Sequence, residues 1–225
     1  KVINTAKKMN KEETVEPKNG SRFHFEMPGS VQGWRSSFKN NKNISTIVQN
    51  TEYESRIGKR ALEIKFDRVA PGVCSEAVVD TFFPQELYEL TGSARERFFQ
   101  SYNFISCPLL YSGQNIESEI IFKSNSEKPI TVTCFINVFG EEDNYERMNS
   151  ESVVLFPDKS QKLKWKIPST EGNPITQVGF SIESDEANSG SLILNYLTFT
   201  GEPNCKFSKP KHIGKHKRGI KFSNA

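Results

Sequence analysis

Alternation of apolar and polar residues dominates this chain and predicts β-strands. The clearest case is residues 176–182, where apolar side chains alternate with small or polar ones, the period of a half-buried strand. After a polar turn, residues 191–199 are apolar on both faces, which is typical of a strand covered on both sides. Pro203 then ends the strand region, because proline cannot donate a ladder hydrogen bond. These two segments are predicted to form a closing hairpin in the middle of a sheet.

Similar patterns recur along most of the chain. Only residues 84–91 resemble a helical turn, and no helical segments separate the strands as an α/β fold would require. Short strands with turns about every 8–12 residues predict an all-β fold, an antiparallel jelly-roll β-sandwich. The further strands are predicted at residues 22–26, 45–48, 61–66, 77–83, 98–106, 116–123, 130–139, 151–156 and 163–167.

Charge and composition divide the chain into three parts. Residues 1–21 are polar without a period and are predicted to be an arm or linker. Residues 22–203 form the predicted sandwich. Residues 204–225 carry seven Lys or Arg and no Asp or Glu, whereas the remainder has 23 basic and 27 acidic residues. This basic tail is predicted to lead to a following domain, and deleting residues 209–225 is expected to leave the melting temperature within a few degrees.

Composition also bears on partners and compartment. No run approaches the roughly 20 apolar residues of a membrane helix, and the basic tail has few aromatic residues, so neither a membrane nor a nucleic acid is the expected partner. Cys74, Cys107, Cys134 and Cys205 form no CxxC motif and are expected to be free thiols, which slightly favours a cytoplasmic location. Residues 1–19 have no apolar signal segment, but the chain starts at lysine, so the compartment of any longer parent stays open.

A ligand-binding face is predicted on the strand at residues 130–139. One face of this strand is aliphatic, while the other carries Phe135, Asn137 and Phe139. Aromatic rings beside an amide suit a concave binding face, where rings stack and the amide fixes orientation. Residues 140–149 are predicted to be a long acidic loop, from which Tyr145 is predicted to close over this groove. The alternative is that this face is simply a second covered face.

No arrangement in the sequence indicates catalysis. Trp34 and Trp165 are expected to pack in the core rather than stack on sugars. The acidic runs are expected to be solvated loops, although two carboxylates across a substrate would be needed for glycoside hydrolysis. No Ser-His-Asp or Cys-His arrangement and no glycine-rich phosphate loop is apparent.

Three segments together resemble a known family. They are Phe25-Glu26 leading to Gly33-Trp34, residues 107–114 (CPLLYSGQ), and residues 173–179 followed by 190–203. In this order they are similar to the non-catalytic, galactose-binding-like β-sandwich region of multidomain ADP-ribosylglycohydrolase-family proteins. Asn195 stands where that pattern has aspartate, and Phe199 where it has tryptophan.

The resemblance implies an accessory domain rather than an enzyme. Its expected ligand is a carbohydrate or an ADP-ribose-like nucleotide sugar, its expected partners are neighbouring domains of the same parent chain, and that parent is expected to be a hydrolase. In related sandwiches a carboxylate near the last strand helps hold a structural Ca²⁺, for which Glu26 and Asn195 are the candidate ligands, although Asn195 lacks the charge. The alternatives are a structural spacer without a ligand and, least favoured, a sandwich-fold glycoside hydrolase.

Overall fold

A computed structural model describes residues 21–37, 45–55, 57–81, 110–139, 145–171, 173 and 175–204. These residues contain eleven β-strands and no helix. The strands form two sheets in which every neighbouring pair is antiparallel. The predicted all-β, antiparallel jelly-roll sandwich is therefore confirmed.

The two sheets have five and six strands. Sheet A has the order β2 (Thr46–Ser55), β3 (Gly58–Val69), β11 (Asn188–Thr200), β5 (Asn115–Lys123) and β9 (Ser160–Lys166). Sheet B has the order β1 (Arg35–Ser36), β4 (Ser75–Asp80), β10 (Ile175–Glu183), β6 (Ile130–Phe139) and β7 (Tyr145–Asn149), and β8 (Val153–Leu155) also pairs with β6.

The core lies between the sheets and follows the predicted alternation. On β6 the aliphatic face, from Val132 to Val138, is fully buried in the main core. Phe135 and Asn137 therefore lie on the opposite side of the strand, which is the outer face of sheet B. We use "outer face" for the side of each sheet that points away from this core.

Trp34 fills one part of the core, whereas Trp165 lies at its margin. The Trp34 indole is 2% exposed, stacks on Phe180 at 6.0 Å between ring centroids, and meets Phe23 edge-on at the same distance. The expected burial of Trp34 is thus confirmed. Trp165 packs against the core with Leu163 and Ile167 but stays partly exposed, because β9 is an edge strand.

The predicted closing hairpin is wrong. β10 and β11 are consecutive, yet β10 pairs with β4 and β6 in sheet B, and β11 pairs with β3 and β5 in sheet A. The turn between them crosses from one sheet to the other. Asn188 anchors the crossing, because its Nδ2 donates to the carbonyls of Lys128 and Pro129 at 3.1 and 3.4 Å. Each strand is central in its own sheet and is buried on both faces, as the sequence predicted for β11 but not for β10.

Two further predictions need correction. Residues 22–26 form no strand: Phe23 makes one bridge to Leu197, and Phe25 turns away with a φ of 59° while its N–H donates to Gln32 Oε1. The segment predicted as an acidic loop, 140–149, contains β7 over its second half. There Arg147 and Met148 pair with β6 despite the polar sequence, because an antiparallel sheet can face solvent on one side.

Several predictions lie outside the described residues. They are the helical turn at 84–91, the strand at 98–106, the arm before residue 21 and the tail beyond residue 204. Within the described part of the chain, no helix is long and apolar enough to cross a membrane. The division into arm, sandwich and tail stays a prediction.

The first and last described segments both attach to sheet A. Phe23 exchanges two backbone hydrogen bonds with Leu197, at 2.9 and 3.0 Å, and Arg22 N donates to Thr198 Oγ1. At the other end, Asn204 N donates to Ser112 O at 2.7 Å. Gly113 makes this approach possible, because a Cβ there would lie 2.5 Å from Asn204 Cβ.

Candidate functional site

A row of polar side chains crosses the outer face of sheet B, at right angles to its strands. Arg35 Nη2 of β1 contacts both carboxylate oxygens of Asp80 on β4 at 3.0 Å. Gln177 Nε2 of β10 donates to Asp80 Oδ1 at 2.8 Å, and Asn137 Nδ2 of β6 donates to Gln177 Oε1 at 2.7 Å. The pairing places these residues side by side, because Gln177 is opposite both Asp80 and Asn137. We call these four residues the polar row.

Asp80 determines the orientation of both amides in the polar row. An ionised carboxylate only accepts hydrogen bonds, so Gln177 must turn its NH₂ group towards Asp80 and its oxygen towards Asn137. Asn137 must then present its own NH₂ group to Gln177. Its remaining Oδ1 is buried and accepts no hydrogen bond in the structure. The row therefore ends in a buried acceptor that an enclosed water could satisfy.

Beside the polar row, Phe135 is enclosed rather than open. Its ring lies over Gly179 of β10, where a Cβ would be only 2.4 Å from Phe135 Cζ. Arg147 of β7 covers the ring, with its guanidinium carbon 3.6 Å from the ring centroid. The same guanidinium donates to Glu76 Oε1 of β4 at 2.5 Å and to Asn149 Oδ1 at 3.0 Å. Phe135 is consequently 1% exposed, and its ring face is occupied by Arg147.

The four predicted ligand-binding residues are brought to one region of the sheet. Phe135 and Asn137 lie on the same face of β6, Phe139 ends that strand, and the backbone of Tyr145 is paired with Phe139 at the start of β7. Tyr145 thus lies in a strand, not in a loop that closes over the groove. The side chains of Phe139 and Tyr145 fall outside the described part of the structure, and a binding role for all four residues stays a prediction.

Sequence reasoning missed most of the residues that make up this face. Four different strands supply Arg35, Asp80, Gln177 and Arg147, and the apolar pattern of the sequence does not predict β1 or β7. The sequence did contain a signal for Gln177. Its neighbour Val178 has a fully buried side chain, so alternation along the strand directs Gln177 to the outer face. The other partners could be assigned only once the strand order was known.

The two predicted calcium ligands hold other partners. The Glu26 carboxylate accepts hydrogen bonds from the backbone N–H groups of Lys59 and Arg60, at 3.1 to 3.3 Å. Asn195 is fully buried and donates to Glu119 Oε2 at 2.7 Å. Among the described residues, no group of three or more His, Cys, Asp or Glu side chains could hold a metal ion. A calcium site at Glu26 and Asn195 stays a prediction.

Two cysteines lie within the described residues, and both are free. Burial raises the pKa of the Cys134 thiol, which faces the core. Burial, and then the nearby Glu76 carboxylate, raises the pKa of the Cys74 thiol next to the outer face of sheet B. Neither thiol is therefore a reactive thiolate at neutral pH.

A separate polar cavity of about 1030 Å³ lies at one end of sheet A. It is formed where β3 and β5 end and β11 begins, and Lys123 pairs there with Asp158 at 2.6 Å. Arg68 has a φ of 61°, and its N–H donates to Ser189 Oγ. The cations and carboxylates of this cavity largely compensate one another, and none of the predicted site residues lines it.

No protein-family model and no curated protein sequence matches the chain. Solved structures do match. One, described for the promiscuous specificity of carbohydrate-binding modules from the β-sandwich superfamily, has a TM-score of 0.57 and 12% sequence identity over 81% of this chain. The match spans 62% of the length of that chain. The fold is therefore that of a β-sandwich carbohydrate-binding module.

Two further structures have TM-scores of 0.49 and 12% identity over 80% of this chain. One is the C-terminal family 22 carbohydrate-binding module of Clostridium thermocellum Xyn10B, of which 94% is covered. The other is the CBM22-2 xylan-binding domain of Paenibacillus barcinonensis Xyn10C, of which 98% is covered. The match with the TM-score of 0.57 confirms the predicted likeness to carbohydrate-module sandwiches for the fold. The ADP-ribosylglycohydrolase part of the resemblance stays a prediction.

Proposed function

We propose that this chain is a non-catalytic, carbohydrate-binding accessory domain that holds its ligand on the outer face of sheet B. The observation that carries the proposal is the polar row. Its donors and acceptors are fixed in alternation across four strands, and it ends in the unsatisfied Oδ1 of Asn137. Sugars present hydroxyls that both donate and accept, so they match such a row better than a purely anionic or purely apolar ligand does.

The exposed part of the polar row offers the first contacts. The side chains of Arg35 and Asp80 are 29% and 23% exposed, and Gln177 is partly exposed, whereas Asn137 lies deeper. A glycan would meet Arg35, Asp80 and Gln177 at the surface. Because Arg147 occupies the Phe135 ring face, recognition here depends on hydrogen bonds more than on stacking.

The identity of the ligand and the family of the parent chain are the more specific parts of the proposal. The likeness of fold to carbohydrate-binding modules favours a polysaccharide. The order of motifs in the sequence favours an ADP-ribose-like ligand and a parent chain of the ADP-ribosylglycohydrolase family.

Isothermal titration of the full chain with soluble xylan, mixed-linkage β-glucan and ADP-ribose tests the proposal. Gln177→Ala removes the centre of the polar row and is expected to weaken binding at least tenfold. Gln161→Ala removes an exposed amide from the edge strand β9 and serves as the matched control, with binding expected to be unchanged. Asp80→Asn no longer fixes which way the amides of Gln177 and Asn137 point, so it is expected to weaken binding as well.

The outcomes separate the ligands. Heat released only with a polysaccharide supports the carbohydrate ligand, and heat released only with ADP-ribose supports the nucleotide sugar. If Gln177→Ala binds as the wild type does, the ligand does not use the polar row. If none of the three compounds binds, the proposed function is wrong for these ligand classes.

A further inference from the structure

The outer face of sheet A carries an apolar cluster where a solvent-facing sheet is normally polar. Ala61 of β3, Ile193 of β11 and Ile121 of β5 come together on this face, apart from the main core. They are only 0%, 4% and 4% exposed. Tyr53 of β2 packs over them and is itself partly exposed. We call these four residues the Tyr53 platform.

Two carboxylates lie on either side of the Tyr53 platform, each oriented by two donors. Glu63 of β3 accepts from Gln49 Nε2 and Ser191 Oγ, both at 2.6 Å. Each of its oxygens receives one of these hydrogen bonds, so lone pairs remain available on both. The carboxylate is thus held in place and can still accept further hydrogen bonds.

On the other side, Glu119 of β5 is held in the same manner. Its Oε2 accepts from Asn195 Nδ2 at 2.7 Å and its Oε1 from Ser160 Oγ at 3.0 Å. β11 runs between β3 and β5, so Glu63 and Glu119 lie about two strand spacings apart, on the order of 10 Å. The result is a partly exposed Tyr53 ring, backed by a buried apolar cluster with oriented acceptors on both sides.

We propose that the Tyr53 platform is a second binding surface, for a neutral oligosaccharide. A sugar ring has an apolar C–H face and a rim of hydroxyls. The C–H face fits the partly exposed Tyr53 ring, whose inner side is fixed by the apolar cluster, and the hydroxyls donate to Glu63 and Glu119.

Other occupants fit this surface less well. The two carboxylates disfavour an anionic ligand, because the neighbouring cation Lys123 is already paired with Asp158 at 2.6 Å. A stable protein partner would need about 800 Å² of contact on each side, more than four side chains supply. The surface is therefore suited to a small, uncharged, hydroxyl-rich ligand.

This proposal does not depend on the one made for sheet B. The two outer faces lie on opposite sides of the sandwich, whose sheets pack about 10 Å apart around the core. A single glycan ring cannot contact both. With both sites active, one molecule could bridge two polysaccharide chains.

The test is affinity gel electrophoresis of the full chain in gels containing soluble xylan, mixed-linkage β-glucan or galactomannan. All platform variants are made in a Gln177→Ala background, which disables the polar row. Tyr53→Ala is expected to weaken retardation at least fivefold in the gel that retards the background protein. Tyr53→Phe keeps the ring and is expected to retain most of the retardation.

Phe156→Ala is the matched control, because Phe156 is an exposed aromatic (54%) in the turn before β9 and is not one of the platform residues. It should leave retardation unchanged. Tyr53→Leu keeps an apolar cover without the planar ring, so it tests stacking even if Tyr53→Ala fails to fold. Melting temperatures of all variants accompany the gels.

Two results would overturn the proposal. The first is equal retardation of the Gln177→Ala background and its folded Tyr53→Leu or Tyr53→Ala derivative. The second is a Gln177→Ala protein that none of the three polysaccharides retards. In contrast, failure of the sheet B site alone would appear as equal retardation of wild type and Gln177→Ala, with the Tyr53 effect intact.

Discussion

Arg147 and Phe135 form a stacked pair in which the guanidinium carbon lies 3.6 Å from the ring centroid. The same guanidinium reaches Glu76 on β4, so it spans the outer face of sheet B from its edge strand β7 across β6 and β10. The Glu76 side chain is only 5% exposed. Arg147 therefore both shields an aromatic ring and neutralises a buried carboxylate.

Arg147→Ala is expected to lower the free energy of unfolding by about 1–3 kcal/mol, because it removes a cation–π contact and leaves the Glu76 charge without its guanidinium. Urea denaturation measures this loss. Arg68→Ala is the control, since its contact with Asp67 is exposed (81% and 56%) and should change stability by less than about 0.5 kcal/mol. Equal effects of the two variants would contradict the role of Arg147.

Gly179→Ala is expected to destabilise the sandwich by about 1–3 kcal/mol through overpacking. The added Cβ would lie 2.4 Å from Phe135 Cζ and 2.7 Å from Ala77 O, so the ring must move. Combining it with Phe135→Leu, which removes the obstructing ring atoms, should cost less than the sum of the two single variants. Thermal unfolding of the four proteins completes the cycle, and strict additivity would show that the two residues do not collide.

The two tryptophans are expected to differ in fluorescence. Trp34 is 2% exposed among aromatic rings, whereas Trp165 lies partly exposed on an edge strand. Trp34→Phe should remove a blue-shifted component that acrylamide quenches poorly, and Trp165→Phe should remove the accessible component. If the protected component disappears with Trp165→Phe instead, the assignment of the core residue is reversed.

Glu117 is expected to contribute to acid sensitivity. Its Oε1 accepts from Lys164 Nζ at 2.7 Å and Thr200 Oγ1 at 2.8 Å, and the contact with Lys164 lowers the pKa of Glu117 in the folded state. The resulting stabilisation is present above the pKa of the unfolded state and is lost as the pH falls through the folded pKa.

Glu117→Gln should therefore lose less free energy of unfolding than the wild type between pH 7 and about pH 3. The difference should be under about 1 kcal/mol, because Lys164 is 66% exposed. Urea titrations at several pH values measure the difference. Glu202→Gln, at an exposed position beyond β11, is the control and should leave the acid dependence unchanged. An unchanged profile for Glu117→Gln would show that the ion pair is fully screened.

The strands could be predicted from sequence where apolar side chains alternate without interruption. β6 was predicted at its observed bounds, because its core face is uniformly aliphatic. β7 was missed, because an edge strand with Arg147 on it gives little apolar signal. The sequence could not show that β10 and β11 belong to different sheets, since the apolar pattern of a strand does not indicate which sheet it joins.

The candidate site was predictable only in part. Phe135 and Asn137 were placed on the correct face, but the sequence could not show that Arg147 covers Phe135 or that Gln177 joins Asn137 to Asp80. Such contacts link residues from strands far apart in sequence and depend on strand order. The sequence did not predict Tyr53 as a site residue, because it lies in a polar stretch. The apolar cluster that it packs against comes from three other strands.

The backbone pairing of Phe23 with Leu197 has a consequence for how the sandwich can be built into a longer polypeptide. Leu197 is only four residues before Gly201, where β11 has ended, so the incoming and outgoing chain pass within roughly 10–15 Å of each other. A module whose two connections emerge close together does not have to be joined end to end between two other domains. It can be spliced into a surface loop of a host domain, whose own termini stay undisturbed.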